Sequence, residues 1–376
     1  MKKKLLTIGG SVLLGFLTVL LVATITMRSN VIPAAAQTPT ASPRPTATVE
    51  PTKTPEAEYY NISFIGDCTL ASSQYNNDFE NKMKGDYAYP FKNTVKYFED
   101  DDLTVANLEC TFSDRRMTSD GTFYFLAPKS FAQILVDGKV DFVTTANNHR
   151  HDFAEAGIED TEAALDEYNI PHAGENETYI YDMDGIKVGF YCVFSGLKPT
   201  ESMVTSAVKS LKDKGADYII CALHWGVEGS YKVADWQKSV AHAAIDAGAD
   251  IIYGSHPHVL QQVEEYKGGV IMYSMGNWSF GGNTAPRDRD TAIVQVKLKK
   301  DADGSISTEG WQAIPCCLSS TDSVNDYCPK PYDKDSEEYK RAMSKLDGTW
   351  TGADLNVDYS GYHTSKAPAA TAGTGQ

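Results

Sequence analysis

Positive charge is what this 376-residue chain has least of where it folds. Of its 34 Lys and Arg, six lie in residues 1–57, beside two of the 50 acidic residues. Residues 58–376 therefore carry 28 basic against 48 acidic side chains, a net charge of −20. Such a surface repels nucleic acid and anionic lipid, and argues against either as a partner. A fully paired cysteine set is also missing. There are seven, so at least one has no partner within the chain. Cys192 and Cys221 fall in apolar runs, where a small buried thiol is the expectation. A bridge from Cys328 to Cys316 or Cys317 is open but not expected. No internal repeat is evident, which argues against a solenoid.

Large apolar side chains are almost absent from residues 33–56, which hold six prolines and six threonines. That stretch has nothing to build a core from and reads as an extended linker, roughly 75 Å long at about 3.1 Å per residue. Before it stand Lys2-Lys3-Lys4 and an uncharged, mostly apolar run over 5–27. The run is long enough to span a bilayer, which takes about 20 residues. The expectation is a single-pass signal anchor, with residues 1–4 a cytoplasmic tip and the rest extracytoplasmic. Cleavage after Ala34-Ala35-Ala36 is the alternative. Residues 58–320 read as one folded domain, 321–365 as a C-terminal extension, and 366–376 as a disordered Ala/Thr/Gly-rich tail.

Within the folded part, short apolar runs alternate with helical patterns. Strands are expected at 60–65, 103–107, 141–145, 187–194, 218–223, 251–253, 270–273 and 293–298, mostly continuous apolar runs covered on both faces. Helices are expected at 91–98, 130–135, 156–168, 203–214 and 235–247; Trp236, Val240, Ala243 and Ala247 give the last one an apolar stripe. The alternation predicts an α/β fold, in which ligands gather beyond the carboxyl ends of strands.

Six polar motifs fall at those ends: Gly66-Asp67, Asn107-Leu108-Glu109, Asn147-Asn148-His149, His224-Trp225-Gly226, Gly254-Ser255-His256-Pro257-His258 and Ser274-Met275-Gly276-Asn277-Trp278. Taken singly, most have a plainer reading. An Asp at a strand end forms turns, an Asn caps helices, and one His is more often a satisfied polar residue than a ligand. Together they supply carboxylates, an amide and imidazoles, a set suited to two divalent cations. Pro257 forbids helix and predicts an extended segment, so His256 and His258 would face different ways and serve two neighbouring metals. His149 has the chemistry of an acid or base, with Asp152 three residues on to orient it. His172, His242 and His363 lack such company and read as structural or surface residues.

In this order and at these strand ends, the motifs resemble the CapA/PgsA family of poly-γ-glutamate capsule biosynthesis proteins, over about residues 62–280. The resemblance implies a calcineurin-like metallophosphoesterase fold, with two mixed β-sheets flanked by helices in four layers. It further implies that Asp67 and His258 bind one metal and that Asn148, His224 and His256 bind another, with Glu109 between them. His149 would be the acid that protonates a leaving group, held by Asp152. Asn107, Asn147, Glu228 and Asn277 would rim the pocket. Two departures stand out. Thr69 occupies the place of the His in the Asp-x-His motif of true phosphoesterases, and the bridging residue is Glu109 instead of Asp. The cofactor expected is therefore one or two divalent ions, of manganese, iron or zinc. The substrate expected is anionic, a phosphoester or poly-γ-glutamate itself. The alternative is a polyanion-binding accessory of a membrane synthase, without catalysis.

Overall fold

A computed structural model describes residues 56–74, 77–194, 196 and 198–355. The expected anchor, nearly all of the linker and the tail lie outside the described residues, among which no helix is long and apolar enough to cross a membrane.

Along the chain, β1 (Glu58–Thr69) leads to α1 (Asp78–Met83) and β2 (Leu103–Leu108). The short β3 (Thr111–Phe112) and β4 (Leu126–Ala127) precede α2 (Ala132–Asp137), β5 (Phe142–Thr144), α3 (Ala154–Glu167) and β6 (His172–Ala173). The second half of the fold opens with β7 (Glu177–Met183), β8 (Ile186–Val193) and α4 (Glu201–Asp213). It continues through β9 (Tyr218–His224), α5 (Asp235–Ala247), β10 (Ile251–Ser255), β11 (Val263–Tyr266) and β12 (Gly269–Met272). Then follow β13 (Asn277–Phe280), β14 (Asp290–Lys300), β15 (Ile306–Cys317), β16 (Lys330–Pro331) and α6 (Glu337–Leu346).

Two mixed sheets result. One runs β16-β15-β14-β1-β2-β5-β6 with β13 also on β1, and the other runs β11-β12-β10-β9-β8-β7. The pleat sorts their side chains into three cores. In β9, Tyr218, Ile220 and Ala222 face the core between the sheets, where they join Phe64, Val105, Phe190 and Tyr253. The alternate residues Ile219, Cys221 and Leu223 pack outward on α4 and α5. On the far side, Ala106, Leu108 and Val143 pack against α1, α2 and α3. The layers are helix, sheet, sheet and helix, the four-layer α/β arrangement that the resemblance implies. Strands β1, β2 and β5 run parallel, as do β8, β9 and β10, so their carboxyl ends share an edge. Near that edge the Tyr253 hydroxyl donates across the two sheets to the Ile65 carbonyl at 2.6 Å.

One expectation needs correction. The helix expected over 91–98 is two short 3-10 turns, Tyr89–Phe91 and Val95–Tyr97. Thr94 Oγ1 donates to the Phe91 carbonyl, a local bond that competes with a helix, while Asn93 Nδ2 donates to the distant Pro329 carbonyl. All seven cysteines are free, Cys328 among them. Residues 321–355 are also part of the same packing unit, because Ala342 and Leu346 of α6 lie in the core between the sheets.

That last segment is tied down by charge. Lys345 is 3% exposed, and its ammonium donates to Asp288 and Asp290, each at 2.7 Å. Arg341 forks onto both Asp290 oxygens at 2.8 and 2.7 Å. Burial pushes the Asp290 carboxyl up, but the two cations more than offset this and hold it below its ordinary value. Beyond α6, Asp354 accepts from the Tyr231 backbone N–H at 2.9 Å, and the Leu355 N–H donates to the Gly229 carbonyl at 2.8 Å.

Two stability effects follow. Phe190 stacks on Phe142 between the sheets, with centroids 3.7 Å apart. Phe190→Ala should lower unfolding free energy by about 3–5 kcal/mol in urea titrations. Lys345→Ala leaves two buried carboxylates short of a cation and should cost about 3–5 kcal/mol in the same assay.

Candidate functional site

The shared strand edge assembles five of the six motifs around one carboxylate, and the sixth supplies Asn277 beside them. Asp67 ends β1 just after Gly66, where a side chain would put its Cβ 2.2 Å from the Gly276 carbonyl oxygen. With glycine there the chains approach closely, and the Asp67 N–H donates to that same carbonyl at 2.8 Å. The Asp67 carboxylate accepts from Asn107 Nδ2 at 2.9 Å and from the His256 backbone N–H at 3.3 Å. Its Oδ2 also lies 3.2 Å from His258 Nδ1, and Asn277 Oδ1 lies 2.8 Å from that same nitrogen.

Across the site, His224 at the end of β9 has Nδ1 against Ser255 Oγ at 2.9 Å, which aims Nε2 at Asn148 Oδ1, 2.7 Å away. His256 Nδ1 is 3.1 Å from that same Nε2. Glu109 sits between the two groups, with its Oε1 3.7 Å from His224 Nε2 and 3.9 Å from His258 Nε2. Ligand atoms of Glu109, His256 and His258 all lie within 4.8 Å of one another.

The extended conformation expected around Pro257 does not occur. His256 and His258 have φ of 99° and 57°, in the left-handed region. Such backbone is uncommon for residues other than glycine and is held here by the Asp67 and Asn277 contacts. The bend turns both imidazoles inward toward Glu109.

Asn107 and Asn147 are corrected as well, because they do not rim the cavity. Both are buried, and they form a chain behind the ligands. Asn147 Nδ2 donates to Asn107 Oδ1 at 3.0 Å and to the Leu108 carbonyl at 2.8 Å, and its own oxygen accepts from the His149 N–H at 3.1 Å. The Asn147 amide therefore caps the turn that carries Asn148 and His149. Glu228 and Asn277 do line the cavity, together with Asn148, His149 and His258. Glu228 Oε1 approaches His256 Nε2 at 4.0 Å. His149 Nδ1 lies 3.0 Å from Asp152 Oδ2, which also accepts from the Phe125 N–H at 3.0 Å.

Electrostatics separate these groups. Burial, helped by the charge of Asp67, pushes Glu109 up to about 8. Burial opposes protonation of His258, but Glu109 and Asp67 outweigh it and raise it to about 10. Burial and neighbouring imidazoles push His224 and His256 well below the ordinary value, so both present neutral nitrogen lone pairs. His149 goes the other way. Burial opposes its charge, yet the Asp152 carboxylate raises it, which favours a protonated ring.

Sequence reasoning missed Ser255, which sets the His224 ring, and an aromatic wall of Phe123, Phe125 and Phe280 along the cavity. Ser255 stands inside a quoted motif and could have been weighed. The aromatics come from segments far apart in the chain and carry no local signal. His151 is exposed and pairs with Glu175, whereas His172 and His242 are held outside the site by the Ile170 carbonyl and Glu264.

Relatives with names share much of this chain. It is 28% identical to the PGA biosynthesis protein CapA of Bacillus subtilis, over 76% of this chain and 77% of that protein. It is 29% identical to the capsule biosynthesis protein CapA of Bacillus anthracis, over 65% of each. A Mycobacterium tuberculosis protein named "Probable polyglutamine synthesis accessory protein" is 26% identical, over 51% of this chain and 60% of its own length. Residues 61–281, which hold every site residue above, match the family described as bacterial capsule synthesis protein PGA_cap, and the chain belongs to that family.

Proposed function

We propose that this chain is a metal-dependent phosphoester hydrolase of poly-γ-glutamate capsule synthesis, held outside the membrane by residues 5–27. The observation that carries the metal is Glu109. Both of its oxygens are buried with no hydrogen-bond partner. A carboxylate without donors costs several kcal/mol unless a cation or proton meets it. Thr69 Oγ1, at the position of the absent His, is a second buried oxygen without a partner. Neutral imidazoles, an amide oxygen and two carboxylates converge there, and this donor set fits a divalent ion of manganese, iron or zinc. Asp67, Glu109 and His258 would hold an ion on one side, and Asn148, His224 and His256 on the other. Bound there, divalent ions supply positive charge to an anionic ester and activate water for attack.

The chain's own residues supply the rest. Asp152 fixes Nδ1 of His149, which leaves Nε2 to face the cavity and give its proton to the departing oxygen. Asn277 orients His258, and Ser255 orients His224, so neither ring needs to reorganise when an anion arrives. Asn147 holds the turn that presents Asn148 and His149 together.

A second reading is an accessory that binds anionic polymer for a membrane synthase and cleaves nothing. Thr69 in place of a ligand His favours it, as does the word "accessory" in the name of the mycobacterial relative.

Metal analysis of the purified full chain, beside diesterase assays on bis(p-nitrophenyl) phosphate, separates the two. Parent protein should retain divalent metal, and His256→Ala and Asp67→Ala should lose most of it. His149→Asn should keep the metal while kcat falls by about 10²–10⁴. A parent holding no more metal than the variants ends the hydrolase reading. Full metal with no ester cleaved establishes the accessory reading instead.

A further inference from the structure

The roles above use the polar floor of the cavity and leave its wall unassigned. The cavity has a volume of about 460 Å³. Asn148, His149, His258 and Asn277 form its floor, and Phe123, Phe125 and Phe280 stand beside it. The Phe125 ring meets His149 edge-on, with centroids 4.7 Å apart, and Phe280 lies 5.3 Å from His258. The aromatic surface therefore begins beside the two imidazoles nearest a reacting group.

Gly282 shapes the same wall. A methyl there would come within 2.9 Å of both the Phe125 and the Phe280 rings, so the bare backbone is what lets them lie as they do. Phe123 and Phe280 are only half-buried and present ring surface to the cavity. Aromatic surface left open beside convergent polar groups is the usual make-up of a small-molecule site.

Charge narrows the ligand further. Among the described residues lining the cavity, Arg287 is the only lysine or arginine, and Glu228 stands on the same lining. Asp288 is also there, but it is matched by Lys345. A stretch of polymer bearing a carboxylate on every unit would need a row of cations leading away from the floor imidazoles, and there the described lining provides Arg287 alone.

We infer that this cavity takes a monomeric anion with a single charged head and a flat ring, such as an aryl or nucleoside phosphate, and not an internal stretch of polyanion. The head lies on the Asn148–His149–His258 floor, and the ring lies along Phe123, Phe125 and Phe280. This deepens the hydrolase reading and rests on it for the position of the head.

Phosphonates test the ring without any cleavage. Calorimetry on the full chain with Mn²⁺ should give benzylphosphonate an affinity about tenfold above that of methylphosphonate. Phe280→Ala and Phe123→Ala should each bring that ratio toward one. Gly282→Ala, which moves the rings without removing them, should lower it too. A ratio near one in the parent, a ratio unmoved by all three substitutions, or failure of both phosphonates to bind overturns the inference. So does a γ-linked glutamate oligomer that displaces benzylphosphonate at lower concentration than an aryl phosphate does. If the ratio holds while no ester is cleaved, the hydrolase reading fails and the ring site stands. If esters are cleaved and the ratio is one, the reverse is true.

Discussion

Glu109 places a carboxyl group where both of its oxygens are buried without a hydrogen-bond partner, and the rest of the site is built around that position. Three imidazoles and a second carboxylate surround it, and three of these four are fixed by a neutral partner. Ser255 holds His224, Asn277 holds His258, and Asn107 holds Asp67. Using neutral amides and hydroxyls for this support keeps the number of buried charges small, which matters because each one is expensive to desolvate. The outcome is a rigid set of lone pairs at the meeting edge of two sheets.

That edge follows from topology. Parallel strands end on one side of their sheet, so the β1, β2, β9 and β10 termini deliver polar residues to a single line without any long loop. Gly66 and Gly276 let the β1 and β13 chains come together at this line, and the Tyr253 hydroxyl links the two sheets behind it. The strain in His256 and His258 is set against this stiff background.

Much of this was legible in the sequence, and the failures have physical reasons. Strand interiors announce themselves because apolar runs buried on both faces leave few alternatives. Local motifs at their ends are equally visible, which is why Asp67, Glu109, Asn148, His149, His224, His256 and His258 were found. What a motif residue does once folded is another matter. Asn107 and Asn147 look like pocket-rim residues on paper, yet each serves a neighbouring strand, and strand neighbours are a long-range fact. Pro257 correctly excluded helix, but excluding helix did not establish extension. The 91–98 segment has helical spacing, and the side chains of Asn93 and Thr94 found other partners. The wall of Phe123, Phe125 and Phe280 joins segments more than 150 positions apart, so nothing local marks it.

The clamp of Lys345 and Arg341 on Asp288 and Asp290 has a consequence in time as well as space. Every residue of the polar floor precedes position 278, but Leu355 lines the same cavity and is held there by Gly229. A chain emerging from its amino end therefore possesses the whole chemical apparatus about 75 residues before it can finish the chamber around it. The order of synthesis thus makes α6 and the strand of chain behind it the closing step in the maturation of the site.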